Sequence, residues 1–180
     1  TSSNCGGNFG YYLKKAGYDA LILKGQCPEL SWLEIHNDKF TLHSAEELKG
    51  LRVGPAQEKL QEWMDEAQGC RAKCGMVSIG PAGENKVLYA CVISGERAAG
   101  RAGVGAVFGS KNLKAIVASG NHEVAIHDPE KTRRFHQKWA NTLRAHPLTG
   151  NQLPKMGTAG LVTTMQARGI LATKNYKHGQ

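Results

Sequence analysis

The stretch Glu96 to Ile116, ERAAGRAGVGAVFGSKNLKAI, limits what this chain can fold into more than any other. It carries Arg97 and Arg101, four positions apart, and glycines at 100, 103, 105 and 109, with almost no side-chain bulk from Ala98 to Gly105. A chain so stripped turns tightly and brings backbone N–H groups close to a large anion. Guanidinium forks beside it grip phosphate at two points, and a short helix opening over Gly103 to Phe108 adds the attraction of its N-terminus. The stretch therefore reads as a phosphate-holding loop; the same residues also suit a glycine-rich turn packed between strands. Two common phosphate loops are excluded. Only three residues separate Gly105 from Gly109 and Ser110 precedes Lys111, which breaks the Walker order. Phe108 stands where a dinucleotide fingerprint needs its third glycine, and the strand-like run Leu113 to Ala118 begins too soon after Gly109 for a crossover helix.

Composition narrows the class. With 41% hydrophobic and 21% charged residues in 180, the chain is an ordinary globular one of a single domain or one and part of another. The net charge of +8 is spread along the chain without aromatic-interleaved basic stripes, so it fits a cationic surface suited to an anionic cofactor and argues against nucleic acid. Five cysteines at irregular spacing, Cys5, Cys27, Cys70, Cys74 and Cys91, suggest free thiols in a reducing, cytoplasmic compartment. Cys70 and Cys74 form a C-x3-C pair with no partner pair, a pattern met more often as buried thiols than as a metal site. No apolar run approaches the roughly 20 residues needed to span a bilayer.

The periodicities predict an α+β chain. Asn8 caps a short helix to Lys15 that Gly17 stops, and DALILK, Asp19 to Lys24, reads as a strand. Trp32, Leu33 and Ile35 pair across an Asn37-Asp38 turn with Phe40 and Leu42. Ser44 with Glu47 forms a capping box for a short turn ending at Gly50. A helix from Pro55 to Gln68 presents Leu60, Trp63, Met64 and Ala67 on one face. Strands are expected at Lys73 to Ile79, Val87 to Ile93 and Leu113 to Ala118, with a turn cluster over Gly80 to Asn85. After a linker at Gly120 to His127, Asp128 and Pro129 open a helix with Phe135, Trp139 and Leu143 on its apolar face. A glycine break falls at Gly150, and Thr158 to Arg168 reads as another helix. The expected organisation is a β-rich domain over residues 1–122 and a helical segment over 123–180. Starting at Thr1 inside a glycine-rich segment and stopping just after Lys-Asn-Tyr-Lys, the chain reads as a piece of something longer.

SSNCGGNFGYYLKKAGYDALILKG, IGPAGEN at Ile79 to Asn85, RAAGRAGVGAVFGSKNLKAI at Arg97 to Ile116, and GTAGLV at Gly157 to Val162 closely resemble the tungsten-containing aldehyde ferredoxin oxidoreductases. The resemblance runs along the whole chain in order. It implies a parent chain about three times as long, in which residues 1–122 are the later part of a β-rich base that binds a bis-pterin cofactor and 123–180 begin a helical domain. It further implies tungsten or molybdenum on the dithiolene sulfurs of two pterins, and Mg2+ bridging the pterin phosphates. The cofactor-binding positions it implies are Asn4, Gly6, Arg97, Ala98, Gly100 and Arg101, with Asn4 and Ala98 as metal ligands through oxygen. None of the five cysteines matches the family's 4Fe-4S ligand pattern, so that cluster and the catalytic acid and base are expected outside this chain. The implied activity is oxidation of an aldehyde to a carboxylic acid with electrons passed to ferredoxin or another electron-transfer protein. The remainder of the same subunit is the first expected partner, and homo-oligomerisation is a further one. Two other readings stand beside it: a family relative acting on another substrate, such as an aromatic-ring reductase, and a non-enzymatic anion-binding module.

Overall fold

The apolar run that closes the arginine–glycine stretch becomes the middle of a sheet. The structure, a computed structural model, describes residues 2–69 and 71–179. In chain order its first unit, Thr1–Val124, holds α1 (Phe9–Lys15), β1 (Ser31–His36), β2 (Lys39–Ser44), α2 (Val53–Gln68), β3 (Cys74–Ser78), α3 (Pro81–Glu84), β4 (Val92–Ser94), β5 (Arg97–Ala99), α4 (Val104–Ser110) and β6 (Leu113–Ser119). The described residues form one six-stranded sheet in the order β2-β1-β6-β3-β4-β5. Only the β1–β6 pairing is parallel; the others are antiparallel, which makes this the expected α+β fold.

Every residue of β6 is buried, because both faces of the sheet are covered. On one face Ile116 and Ala118 join Ile35, Val77 and Val92, against Leu13 and Ala16 from the α1 side and Phe108 of α4. On the other, Ala115 and Val117 join Trp32 against Ala56, Leu60 and Met64 of α2. Trp63 stacks on Trp32 at a centroid separation of 5.8 Å, and the His43 ring stacks on the same indole at 4.2 Å. The local signals explain the boundaries. Asn37 takes a positive φ of 49° in the β1–β2 turn, and Gly69, at φ 65°, caps α2 in the left-handed conformation.

Several expectations need correction. Asp19 to Lys24 is not a strand: Leu21 and Leu23 pack on the core while Ile22 is 80% exposed, but the backbone joins no ladder. An alternating pattern orients side chains; it does not supply a neighbouring strand. The strand expected over Val87 to Ile93 shrinks to Val92–Ser94, because Lys86 takes φ 56° and Leu88 and Tyr89 sit on an exposed turn. The turn cluster at Gly80 to Asn85 contains the short helix α3, started by Pro81. The capping box is not completed: Ser44 Oγ accepts from Glu46 N at 3.4 Å, and a 3-10 turn, Glu46–Leu48, follows. β5 was not expected at all.

The second unit, Ala125–Gln180, is helical. It holds α5 (Pro129–Ala145), α6 (Leu153–Met156) and α7 (Val162–Ala167). Asp128 Oδ1 accepts from Lys131 N at 2.9 Å as the N-cap of α5. The face bearing Phe135, Trp139 and Leu143 is about half exposed, and no residue of α5 is buried. The glycine break expected at Gly150 is a π-turn over Pro147–Gln152. A Cβ at Gly150 would lie 1.9 Å from the Arg144 carbonyl, so glycine lets the chain fold back rather than stop. The helix expected from Thr158 begins as a 3-10 turn, Gly157–Leu161, before α7. Among the described residues no helix is long and apolar enough to cross a membrane.

One polar feature sits inside this apolar frame. Lys114 of β6 is completely buried. Its Nζ ion-pairs with Glu84 of α3 and donates to the Leu51 carbonyl at 2.9 Å, while the other Glu84 oxygen accepts from Gly50 N at 2.9 Å. Although it lies in the arginine–glycine stretch, Lys114 ties sheet, α3 and the approach to α2 together. Lys114→Met is expected to destabilise the intact subunit by about 3–5 kcal/mol, because it strands a carboxylate with little solvent access. Lys114→Met combined with Glu84→Gln should cost less than the sum of the two single changes; denaturant unfolding of all three variants checks this.

Candidate functional site

The segment before α1 and the β4–β5 hairpin are far apart in sequence and adjacent in space. Ser2 to Gly7 has no regular structure, and a close backbone approach holds it in place. Gly7 takes φ 93°, and a Cβ there would meet Ser94 Oγ at 2.6 Å and the Ser94 carbonyl at 2.9 Å. Only glycine fits a position both left-handed and that tight. Further along, a Cβ on Gly75 of β3 would meet the Asn8 carbonyl at 2.6 Å, so the sheet also needs glycine to receive this segment. Arg101 N donates to Ser3 Oγ at 3.0 Å, and a Cβ at Gly6 would lie 3.2 Å from Arg97 Cγ.

These contacts bring four of the six sequence-predicted residues to one cleft and the other two, Gly6 and Arg97, against each other. Asn4, Ala98, Gly100 and Arg101 line a cleft of about 580 Å³ together with Ser2 and Ser3. Gly6 lies against the Arg97 side chain, and Arg97 borders a second hollow of about 710 Å³ that includes Gly7, Ser94 and Gln57. Arg97, Ala98, Gly100 and Arg101 are exposed, as is Asn4. Among the described residues neither guanidinium has an ion-pair partner. The cleft and the adjoining hollow thus offer one uncompensated cation each, with amide, carbonyl and hydroxyl oxygens and a stretch free of bulk on the cleft side. Such a set suits a large anion, and a hard cation bound alongside it.

The glycines divide into two groups, which amends the phosphate-loop reading. Gly100 has nothing closer than Cys91 Sγ at 3.6 Å, so it leaves space beside the cleft. Gly103, Gly105 and Gly109 do not. A Cβ on each would meet a main-chain carbonyl, of Leu88 at 2.0 Å, Cys91 at 2.6 Å and Gly83 at 1.8 Å respectively. Gly105 N already donates to Ala90 O at 2.9 Å. The N-terminus of α4 therefore packs against the protein, and these three glycines allow helix-on-backbone contact. Lys111 Nζ likewise caps the Gly25 carbonyl at 3.0 Å. Of the stretch, Arg97, Ala98, Gly100 and Arg101 are the residues left open to the cleft and the adjoining hollow.

Sequence reasoning missed Gln57. This half-buried side chain lines the second hollow and makes hydrogen bonds to three separate places around the hairpin. Its signal was the pair Gln57 and Gln61, four apart on one side of an amphipathic helix. Gln61 Nε2 donates to Asp65 Oδ1 at 2.7 Å and to the Ala72 carbonyl at 3.0 Å. Asp65, which also accepts from Ala72 N at 2.7 Å, has its carboxyl held below the ordinary value by that backbone bond first and Gln61 second. Cys70 of the C-x3-C pair lies outside the described residues. Among those described, no group of three or more His, Cys, Asp or Glu is placed to hold a metal ion.

Comparison with known proteins decides the family. The model of the aldehyde ferredoxin oxidoreductase N-terminal domain matches residues 1–120. The chain belongs to the aldehyde ferredoxin oxidoreductase family. The tungsten-containing aldehyde ferredoxin oxidoreductase of Pyrococcus abyssi is 40% identical over 178 residues, covering 98% of this chain and 28% of that protein. An aliphatic sulfonate oxidoreductase WOR-like subunit of Pyrococcus furiosus is 34% identical over 134 residues, covering 69% of this chain and 21% of that protein. Among solved structures, the BamBC active-site complex of benzoyl coenzyme A reductase with 1,5 dienoyl-CoA aligns with a TM-score of 0.68 and 30% identity, over 95% of this chain and 22% of that one. This aldehyde ferredoxin oxidoreductase family chain therefore spans little more than a quarter of the length of the curated relatives it matches most closely among these, 28% for the P. abyssi protein.

Within the family chain the thiols differ sharply. Burial, and then the negative charge of Asp65, push the Cys74 thiol up from 9.0 to about 11, whereas Cys5 is exposed beside the cleft. A raised thiol pKa keeps the proton on, so at pH 8 only about one Cys74 in a thousand is thiolate, the form that reacts. In cofactor-free folded protein iodoacetamide is expected to label Cys5 well before Cys74 at pH 8, and Cys74 labelling should climb as pH rises toward 11. Peptide mass spectrometry at timed quenches checks both.

Proposed function

We propose that this chain supplies part of the cradle for a tungsten or molybdenum bis-pterin cofactor in a longer oxidoreductase subunit. The observation that carries it is the meeting of Asn4 with Ala98, Gly100 and Arg101 across one cleft, with Gly6 against the Arg97 side chain at the adjoining hollow. Residues 1–122 act as the bis-pterin-binding domain and 123–180 as the start of a helical one. Arg97 and Arg101 neutralise pterin phosphates through charge-assisted hydrogen bonds. The Asn4 amide oxygen and the Ala98 carbonyl are hard donors that would hold Mg2+ between those phosphates. Gly6 and Gly100 keep side-chain atoms out of the path of the pterin. When bound, the metal–pterin group supplies the two-electron redox chemistry; this chain's residues bind, orient and balance charge.

For the whole subunit we propose oxidation of an aldehyde to a carboxylic acid, with the electrons leaving through a 4Fe-4S cluster held elsewhere in the subunit to ferredoxin, in the cytoplasm. The 40% identity to a protein named for that activity supports this reading. A second reading, a reductase or oxidoreductase for another substrate, is favoured by the likeness to the benzoyl coenzyme A reductase complex and the sulfonate oxidoreductase subunit. Metal analysis of the full-length protein for tungsten, molybdenum and iron, beside dye reduction with aldehydes and with an aromatic acyl-CoA, separates the two. A folded full-length protein without tungsten or molybdenum would leave only an anion-binding module.

Arg97→Ala or Arg101→Ala is expected to weaken the hold on the cofactor by roughly 10-fold to 100-fold, one charge-assisted contact being worth about 1.5–3 kcal/mol. Turnover per bound metal should change little. Lysine at either position should restore loading only in part, since a point charge cannot match a two-pronged donor. The measurement is metal and pterin per chain beside activity per metal; full loading with lost turnover would overturn the assignment.

A further inference from the structure

The hairpin that carries Arg97 and Ala98 is weakly held by its own backbone. β4 and β5 are three residues each, β5 is the last strand of the sheet, and β4 meets β3 through the single register pair Ser78 and Ile93. The turn between them passes through Gly95 at φ 56°. One side chain from α2 makes up the deficit. Gln57 Nε2 donates to Ser78 Oγ at 2.9 Å and to the Ile93 carbonyl at 3.0 Å, and Gln57 Oε1 accepts from Gly95 N at 3.2 Å. It thereby joins a helix, the fully buried Ser78 of β3, and both the strand and the turn of the hairpin.

We propose that Gln57 is a positioning residue that presents Arg97 to the cofactor; this rests on the cradle reading above. A primary amide has two N–H donors, and both are taken by protein acceptors. Gln57 therefore has no proton to give a ligand in the adjoining hollow, and its contribution passes through the hairpin. Gly95 lies two residues before Arg97, so a turn released at Gly95 N loses the geometry that a bidentate guanidinium contact needs.

The test uses the full-length subunit and two readouts. In protein made without tungsten or molybdenum, Gln57→Leu is expected to speed amide hydrogen exchange across Ser94 to Ala99 about tenfold, the effect of a lost hydrogen bond of ordinary strength. In protein made with metal, tungsten or molybdenum per chain should fall by a similar factor, with activity per bound metal unchanged. Gln57→Glu, which keeps the acceptor and gives up both donors, should fall between parent and Gln57→Leu, and it serves where the leucine variant does not fold. Gln61→Leu is the matched control: it loses three hydrogen bonds made from the same helix, to Asp65, Ala72 and Cys74, but none to the hairpin, and should leave hairpin exchange and loading as in the parent. Unchanged hairpin exchange in Gln57→Leu, or equal effects in Gln61→Leu, would overturn the proposal. Arg97→Ala run in parallel separates the two readings. If it loads fully, the cradle reading fails; if it loses metal while Gln57→Leu does not, only the positioning role fails.

Discussion

The buried lysine on the central strand is the constraint on which the first unit depends. β6 is covered on both faces, and such a strand ordinarily contains nothing but apolar side chains. Lys114 breaks that rule and survives because Glu84 and the Leu51 carbonyl accept from its ammonium, while Gly50 N holds the other Glu84 oxygen. A buried ion pair adds little net stability over an apolar one of the same shape, but it tolerates few geometries. Only one placement of α3 and of the loop before α2 lets both charges find their partners. That placement brings Gly83 under Gly109 and α2 beside the β4–β5 hairpin, so the pair selects the arrangement in which the candidate site exists.

Backbone contact recurs as the means of close assembly. Where Gly7 meets Ser94, Gly75 meets Asn8, and Gly103, Gly105 and Gly109 meet carbonyls, elements approach more closely than any Cβ would allow. This explains why the arginine–glycine stretch was legible as important but was only partly legible in detail. Bulk-free sequence announces close approach without saying what approaches. For Gly100 it is open space beside the cleft; for the three later glycines it is the protein itself.

The elements that were read well from the chain are those specified locally. α2 has its stripe and its glycine cap, α5 its Asp-Pro start, and the β1–β2 hairpin its turn residues. The failures share one cause, a dependence on distant partners. Leu21 and Leu23 alternate as a strand should and pack on the core, but no strand pairs with their backbone. Arg97 to Ala99 has no strand pattern and becomes one because β4 lies alongside. Nothing near them in sequence marks Gln57 or Lys114, because their partners lie at least 21 and 30 residues away respectively. The motif residues were singled out and the polar supports behind them were not, since a resemblance is carried by motifs and leaves out the side chains packed behind them.

The distance along the chain between the two walls of the cleft has its own consequence. Ser3 and Arg101 are joined by a hydrogen bond that closes a loop of 98 residues. The entropy of closing so long a loop is offset only after most of the intervening sheet has formed. During synthesis the first wall leaves the ribosome well ahead of the second and waits without its counterpart. The cleft therefore cannot exist until both walls are in place, and anything bound there can be captured only by a chain that has already brought them together.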